Sequence, residues 1–108
     1  MSSPKEQELA KLKENILKMG AFVEDAIRKS IRSLVERDRE LAIQVIDGDA
    51  IVNTFDVEIE EECIKFLALW QPTGSNLRFV TTAIKIITDL ERMGDLAVDI
   101  CERSVELL

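Results

Sequence analysis

The stretch Thr88-Asp89-Leu90-Glu91-Arg92-Met93-Gly94-Asp95 lies within a long helical pattern in which apolar residues recur every three or four positions. Glu91, Asp95 and, beyond the stretch, Asp99 stand at i, i+4 and i+8, so their carboxylates fall on one side of a helix. Like charges at this spacing destabilise an isolated helix by roughly 0.2–0.5 kcal/mol per pair. Such a column is either a solvated face neutralised by neighbouring cations or a ligand surface for a hard metal ion.

Outward from this stretch, the pattern predicts a helix that begins at an N-cap, Ser75 or Asn76, and reaches the C-terminus. Two earlier segments have the same period, one from Lys5 to Val35 and one from Asp49 to Trp70. The predicted core stripes are Leu9, Leu12, Ile16, Met19, Val23, Ile27 and Leu34 in the first segment, Val52, Phe55, Ile59, Cys63, Phe66 and Trp70 in the second, and Val80, Ala83, Ile87, Leu90, Gly94, Ala97 and Cys101 in the third.

The links between these segments predict how the chain turns. Asp38 is typical of a helix N-cap, so a short helix is expected over residues 39–46, followed by a turn at Asp47-Gly48-Asp49. Because short links join antiparallel neighbours, residues 1–108 are predicted to form one all-α domain, an antiparallel three-helix bundle with up-down-up topology. Gly20 is expected to let a neighbouring helix approach closely.

The composition is typical of one soluble globular domain. The 108 residues carry a formal net charge of −7 and are 46% hydrophobic and 32% charged. An acidic chain is a poor partner for nucleic acid, whose phosphates need a basic patch. No apolar run approaches the ~20 residues that cross a bilayer, and the start has no leader-like segment. A cytoplasmic protein that is not inserted in a membrane is expected, with Cys63 and Cys101 as reduced core thiols.

A second polar column makes a metal site plausible. Asp49, Asn53, Asp56 and Glu60 follow one side of the second long helix at steps of four, three and four. If this helix packs antiparallel to the last one, the column comes near the same end of the bundle as residues 91–99. Several carboxylates on two rigid helices suit Mg²⁺, Mn²⁺, Ca²⁺ or ferric iron. The chain has no His, and these faces carry no thiol, so zinc is a poor candidate.

The competing interpretation is a solvated helix surface held by local ion pairs. The pairs that it predicts are Lys85–Asp89, Asp89–Arg92 and Asp99–Arg103. Neither interpretation supplies a catalyst, because the sequence has no Gly-rich phosphate loop and no imidazole base to activate its serines. The chain is therefore predicted not to be an enzyme.

Several motifs in a fixed order extend over essentially the whole chain. They are Lys18-Met19-Gly20, Val23-Glu24, Asp49-Ala50-Ile51-Val52-Asn53-Thr54-Phe55-Asp56-Val57-Glu58-Ile59-Glu60, Gln71-Pro72, Leu77-Arg78, Lys85-Ile86 and Asp89-Leu90-Glu91-Arg92-Met93-Gly94-Asp95. Together they closely resemble one repeat of the PhoU family of phosphate-uptake regulators. Glu91 and Asp95 then match the Glu/Asp-x-x-x-Asp motif through which several family members bind metal clusters.

The resemblance implies a function that periodicity alone does not. Family members are bacterial and archaeal cytoplasmic proteins built of two similar three-helix repeats. They couple the phosphate ABC transporter to a sensor histidine kinase and repress the phosphate-starvation response. The implied partners are therefore the transporter ATPase and the sensor kinase. The metal residues predicted from the acidic columns and the resemblance together are Glu91, Asp95, Asp49, Asn53, Asp56 and Asp99.

This chain departs from the family pattern in several places. It has one repeat where the family usually has two, so it is either a fragment or a half-length protein that pairs with itself. Asn76 stands where Asp is usual, Asp56 stands where Glu is usual, and Asp99 falls where other polar residues are commoner. These departures affect the number and identity of metal ions more than the fold.

Three functions remain open at this stage. The first is a non-enzymatic, metal-binding adaptor between a phosphate transporter and a sensor kinase. The alternatives are a cytoplasmic regulatory or structural domain of a larger transporter, and a generic helical interaction module with neither metal nor a link to phosphate. A homo-oligomer is also expected, because apolar residues off the main stripe widen the apolar face of the first helix. They are Leu17, Phe22, Ile31 and Val35.

Overall fold

Two short links divide the chain into three long helices. The computed structural model describes residues 2–108, and in that range it contains α1 (Pro4–Glu36), α2 (Arg39–Trp70) and α3 (Gly74–Leu107) and no strand. Each helix packs against both of the others, and the bundle measures 53 × 24 × 18 Å. None of these helices is long and apolar enough to cross a membrane. The predicted all-α fold is confirmed.

Side-chain caps and a left-handed residue set the first helix boundaries. The side-chain oxygen of Ser3 accepts a hydrogen bond from the backbone N–H of Glu6 at 3.1 Å, which satisfies a free donor at the start of α1. The helix ends at Glu36, and the next residue, Arg37, has a left-handed φ of 55°. Asp38 then caps α2 as predicted, accepting from the backbone N–H of Leu41 at 3.1 Å.

The predicted turn at residues 47–49 is wrong, because α2 continues through Gly48 without a break. Val45 and Val52 are seven residues apart and both are buried, which an unbroken helix explains because two turns return to nearly the same face. A Cβ at Gly48 would lie 3.5 Å from the ring Cζ of Phe22, an ordinary packing distance, so Phe22 of α1 lies over this part of α2. The predicted short helix is the first part of this 32-residue element.

The start of α3 also differs from the prediction. Its N-cap is Thr73 rather than Ser75 or Asn76, and the Thr73 side chain makes no capping hydrogen bond. Gly74 has a φ of 58°, a left-handed conformation that a residue without a Cβ adopts at little cost. The chain therefore turns from the link directly into the helix, two or three residues earlier than the polar side chains indicated.

Contacts between α1 and α2 show that these helices are antiparallel. Near the start of α1, the Glu8 carboxylate accepts a hydrogen bond from Trp70 Nε1, at the end of α2, at 2.7 Å. Farther along α1, Asn15 Nδ2 donates to the Glu62 carboxylate at 3.0 Å. As the residue number increases along α1, the number of the contacting residue in α2 decreases, so the two helices run in opposite directions.

The last helix runs parallel to the first, which completes the up-down-up topology. The Lys13 ammonium lies 5.2 Å from the centroid of the Phe79 ring near one end of the bundle. Toward the other end, Ser33 Oγ lies 3.9 Å from Cys101 Sγ. Residue numbers therefore rise together in α1 and α3, and the antiparallel bundle predicted from the short links is confirmed.

The core differs from the predicted stripes at one end of α1. Leu34 is 43% exposed, whereas Ser30 and Ser33 are fully buried. Each serine hydroxyl donates to a backbone carbonyl three residues earlier at 2.7 Å, which satisfies the buried donor within α1. The larger cluster of buried core residues comprises Leu12, Met19, Val23, Val52, Ile59, Cys63, Phe66, Val80, Ala83 and Ile87, and the smaller comprises Ala42, Val45, Ala97 and Cys101.

Gly94, rather than Gly20, marks the place where two helices approach closely. A Cβ at Gly20 would meet nothing within 4 Å, which corrects the prediction. A Cβ at Gly94 would lie 3.2 Å from Cγ1 of Val52. Both Val52 and Gly94 are buried. The Val52 side chain of α2 therefore packs against α3 at a position where α3 has no side chain.

Candidate metal centre

Four carboxylates lie around the Val52–Gly94 contact, at the edge between α2 and α3. In α2 they are Asp49, three residues before Val52, and Asp56, four residues after it. In α3 they are Glu91, three residues before Gly94, and Asp95, one residue after it. Three of the four residues are half-buried and the fourth is exposed. This acidic cluster consists of Asp49, Asp56, Glu91 and Asp95.

Asp56 of α2 acts on Glu91 of α3 across the helix interface. The Asp56 side chain is the largest cause that raises the pKa of Glu91, and burial and the Asp56, Asp95 and Asp49 charges raise it further. Neighbouring carboxylates repel one another, so the protonated form of Glu91 is favoured over the ionised form. A bound cation would offset the same repulsion.

The other two members of the acidic cluster also influence each other across the interface. Burial raises the pKa of the Asp49 carboxyl, and the charge of Asp95 raises it further. Asp49 belongs to α2 and Asp95 to α3, so each helix contributes two carboxylates. The structure thus brings four of the six predicted metal residues together.

Ion pairing within residues 2–108 does not neutralise the acidic cluster. All four ion pairs in that range lie on α1, namely Glu14–Lys18, Glu24–Arg28, Asp25–Lys29 and Arg32–Glu36. The pairs expected for a solvated α3 surface, Lys85–Asp89, Asp89–Arg92 and Asp99–Arg103, do not form in this part of the chain. The carboxylates are therefore left with their mutual repulsion.

Asn53 and Asp99, the remaining two predicted metal residues, lie outside the acidic cluster. Both are exposed, and Asp99 is not among the charges that raise the pKa of Glu91 or Asp49. An α-helix turns by about 100° per residue, so a residue at i+8 has rotated by about 80° from residue i.

The acidic cluster is open rather than closed around an ion. Within residues 2–108, no three Cys, Asp or Glu side chains converge closely enough to hold a metal ion as they stand. The donors are all carboxylate oxygens, which suit hard cations that accept flexible coordination. A cation would draw these side chains together because it replaces their repulsion with attraction. The residues present therefore fit a hard cation by their chemistry, after side-chain rotation.

The sequence contained a signal for the Val52–Gly94 contact that was not used to predict it. Gly94 lies seven residues after Ile87 and seven before Cys101, and both of those residues are buried. Residue 94 is thus a core position without a side chain, and a partner helix must fill the space. The acidic residues around it are therefore expected to face a second helix at short range.

Comparison with known proteins agrees with the resemblance seen in the motifs. Residues 16–104, which include most of each helix and the whole acidic cluster, match the family described as the PhoU domain. The chain belongs to the PhoU family. The three-helix fold and the family resemblance predicted from the sequence are both confirmed.

PhoU proteins of known name and structure are similar over nearly the whole chain. A PhoU homolog of Aquifex aeolicus, named a phosphate-specific transport system accessory protein, is 43% identical over 94% of this chain. The accessory protein PhoU of Escherichia coli K12 is 39% identical over 92%. The crystal structure of PhoU from Pseudomonas aeruginosa superposes with a TM-score of 0.92 at 35% identity over 94%. The matches span 46%, 41% and 49% of these relatives, so the chain has about half their length.

Proposed function

We propose that this chain is a non-enzymatic accessory regulator of phosphate-specific transport that binds a hard metal ion at the acidic cluster. The observation that carries the metal proposal is the placement of four carboxylates, two from each of two helices, around the Val52–Gly94 contact, where Asp56, Asp95 and Asp49 all raise the pKa of Glu91. The link to phosphate is supported by relatives named as accessory proteins of the phosphate-specific transport system. Mg²⁺, Mn²⁺, Ca²⁺ and ferric iron are the candidate ions.

A bound cation would act on the α2–α3 interface. Asp49 and Asp56 from one helix and Glu91 and Asp95 from the other would hold it. The positive charge would replace repulsion among the carboxylates with attraction. It would also fasten α2 to α3 beside the Val52 contact, where the helices are already close. The ion thus has a structural and regulatory role, and no reaction step passes through it.

The finer role that we propose is that of a cytoplasmic adaptor. It would contact the ATPase of a phosphate ABC transporter and a sensor histidine kinase, and it would repress the phosphate-starvation response. Family membership supports this role, as do three long helices that offer extended rigid faces for protein contacts. The metal would set the relative position of two of these faces.

The environment of the hydroxyl and thiol groups agrees with a non-catalytic role. Ser30, Ser33 and Ser104 are buried, and the first two already donate hydrogen bonds to backbone carbonyls. Cys63 and Cys101 are buried free thiols. These groups are held within the packing of the bundle, away from any substrate at the surface.

The length of the relatives favours a second candidate, a regulatory or structural domain of a larger protein such as a transporter. The aligned relatives are about twice as long as this chain, so a three-helix unit of this kind works beside further protein. A generic helical interaction module is the remaining alternative. It would be favoured if the chain bound neither metal nor a component of phosphate transport.

We also propose that the chain pairs with itself. Leu17, Ile31 and Val35 of α1 are 74%, 51% and 75% exposed, and such exposed apolar groups commonly mark an interface. Phe22, predicted to widen the same face, is instead half-buried, and its ring centroid lies 6.4 Å from that of Phe55. Three of the four off-stripe residues therefore support self-association.

Binding to the transporter ATPase tests the adaptor role. The ATPase subunit of the phosphate transporter from the same source would be immobilised, and the chain passed over it with Mn²⁺ or with a chelator. We expect binding that Mn²⁺ strengthens and that Glu91→Gln/Asp95→Asn weakens. Glu58→Gln/Glu61→Gln, on the exposed side of α2, is the matched control. Absence of binding under both conditions would contradict the adaptor role.

A further inference from the structure

The last helix carries a second apolar stripe that the three-helix core does not use fully. Its members recur at every seventh position, and Ile86, Met93 and Leu107 are 41%, 45% and 76% exposed. A seven-residue apolar repeat is the pattern by which one helix pairs with another in a coiled coil. The outer stripe consists of Phe79, Ile86, Met93, Ile100 and Leu107.

Two residues of α1 widen the outer stripe. Leu17 and Val35 are eighteen positions apart, which is five full helical turns, so they lie on the same side of α1. Both are about three-quarters exposed. Leu17 also lines, with Phe79 and Ile86, an apolar groove of about 490 Å³ between α1 and α3. This side of the bundle is apolar along most of its length.

The residue before each member of the outer stripe is charged, and the sign changes along the helix. Arg78, Lys85 and Arg92 precede the first three members, and Asp99 and Glu106 precede the last two. All five are exposed, and the ion pairs within residues 2–108 involve none of them. One edge of the outer stripe thus has a basic half and an acidic half.

We propose that two copies of the chain associate through the outer stripe, with their α3 helices antiparallel and a two-fold axis near Met93. This inference rests on the self-association proposed above and names its surface and orientation. Ile86 and Ile100 are equally far from Met93 in sequence. Phe79 and Leu107 are likewise symmetric about it. The two-fold axis therefore brings each stripe against the other along its whole length.

The flanking charges select the antiparallel arrangement. It places Arg78 beside Glu106 of the partner subunit, and Lys85 beside Asp99 of the partner subunit, each within about one helical turn of direct opposition. Arg92, next to the axis, faces its own copy in this arrangement, whereas a parallel pair would bring all five flanking charges against their own copies. Opposite charges beside a coiled-coil seam determine which orientation forms. The partner that matches this edge is a second copy of the same helix.

The groove between α1 and α3 has a matching occupant in this arrangement. Leu107, the most exposed member of the outer stripe, lies at the opposite end of α3 from Phe79. The two-fold axis brings Leu107 of the partner subunit to the groove lined by Leu17, Phe79 and Ile86. The contact occurs twice, once in each copy, as an isologous interface requires.

Sedimentation velocity of the full chain across the micromolar range tests the surface. We expect a dimer that Met93→Lys weakens about tenfold or more, because the change sets two ammonium groups together at the axis. Val57→Lys, at a 53% exposed apolar residue of α2, is the matched control and should leave the dimer intact. Circular dichroism must show that both variants remain helical.

The outcomes separate this inference from the proposal on which it rests. A wild-type chain that stays monomeric would contradict self-association itself. A dimer that is insensitive to Met93→Lys, or that Val57→Lys disrupts equally, would contradict only the surface named here.

Charge reversal tests the orientation. In the antiparallel dimer, Arg78→Glu faces Glu106 of the partner subunit and weakens association, and adding Glu106→Arg in the same chain restores it. In a parallel dimer, Arg78→Glu exchanges one like-charge pair for another, so neither change has much effect. An affinity that the single variant leaves unchanged, or that the second change fails to restore, would overturn the antiparallel arrangement.

Discussion

Cγ1 of Val52 lies 3.2 Å from the position that a Cβ on residue 94 would occupy. Val52 is 2% exposed and packed within the main core cluster, so it has little room to move. The absence of a side chain at Gly94 therefore sets the separation of α2 and α3. Acidic residues of both helices lie around the same contact, and Asp56, Asp95 and Asp49 all raise the pKa of Glu91.

Alanine at the two helical glycines should have opposite effects on stability. Gly20→Ala meets nothing within 4 Å and should stabilise the protein by up to about 1 kcal/mol, the difference in helix propensity. Gly94→Ala gains the same propensity but overpacks the core against Val52, which typically costs 1–3 kcal/mol. Urea unfolding followed by circular dichroism measures both free energies. Gly94→Ala should be the less stable of the two by at least about 1 kcal/mol.

A double-mutant cycle tests whether Val52 is the cause. Val52→Ala alone removes buried methyl groups and should destabilise the protein. In that background Gly94→Ala should cost less than in the wild type, because the space opposite residue 94 has been enlarged. Equal costs in the two backgrounds would show that another contact limits the approach of the helices.

Neutralising the acidic cluster should stabilise the metal-free protein. Glu91→Gln removes one charge from a group whose pKa is raised by Asp56, burial and two further carboxylates, so repulsion falls. Thermal unfolding in chelator should show a higher Tm for Glu91→Gln than for the wild type. Glu58→Gln, an equal charge change at an exposed residue of α2, should show a smaller increase. The reverse order would contradict the repulsion assigned to the acidic cluster.

The stability of the metal-free protein should fall as the pH rises from acidic to neutral values through the titration of the acidic cluster. The folded-state pKa of Glu91 lies above its ordinary value of 4.5, and that of Asp49 lies above 3.8. A group with a raised pKa binds its proton more tightly when folded. Such a group therefore adds to the free energy of unfolding at a pH below its unfolded-state pKa. This added stability is lost as the pH rises through its folded-state pKa.

Unfolding experiments across this pH range check the sign. The difference in free energy of unfolding between the wild type and Asp49→Asn/Glu91→Gln isolates the two groups from the other carboxyls. In chelator, the wild type should lose stability relative to the variant as the pH increases. A difference that is constant with pH would mean that neither group has a raised pKa in the folded protein.

The two thiols should be unreactive in the native protein. Burial, followed by the charges of Glu62 and Glu60, raises the pKa of Cys63 to about 11, and burial also raises that of Cys101. Both are 0% exposed, and the thiolate is the reactive form. Labelling with Ellman's reagent at pH near 8 should therefore be slow until denaturant unfolds the chain. Rapid native labelling of either residue would contradict the packing of the bundle at that residue.

The sequence predicts the helices better than their boundaries. Apolar residues such as Ile59 and Ile87 recur with the helical period and are buried, so periodicity alone was sufficient to place three helices. Gly48 indicates a turn because glycine is common in turns, but α2 continues through it, and Val45 and Val52 on either side are both buried. The propensity of one residue does not show that its neighbours share a buried helix face.

Helical periodicity also made part of the candidate site predictable. The helical spacing of Asp49 and Asp56 on one element, and of Glu91 and Asp95 on the other, placed two acidic columns at one end of an antiparallel pair. The exclusion of Asp99 depends on how far a straight helix rotates over eight residues. Whether the carboxylates meet depends on the separation of the helices, which the Val52–Gly94 contact sets and the spacing within one helix cannot show.

Calorimetric titration of Mn²⁺ into chelator-free protein is the most direct test of the central claim, which is that the acidic cluster binds a hard cation. We predict binding by the wild type, a loss of at least about tenfold in affinity in Glu91→Gln/Asp95→Asn, and little change in Asp99→Asn. This last variant removes a carboxylate of the same helix that lies outside the cluster. No heat of binding in the wild type, or equal weakening by Asp99→Asn, would contradict the account.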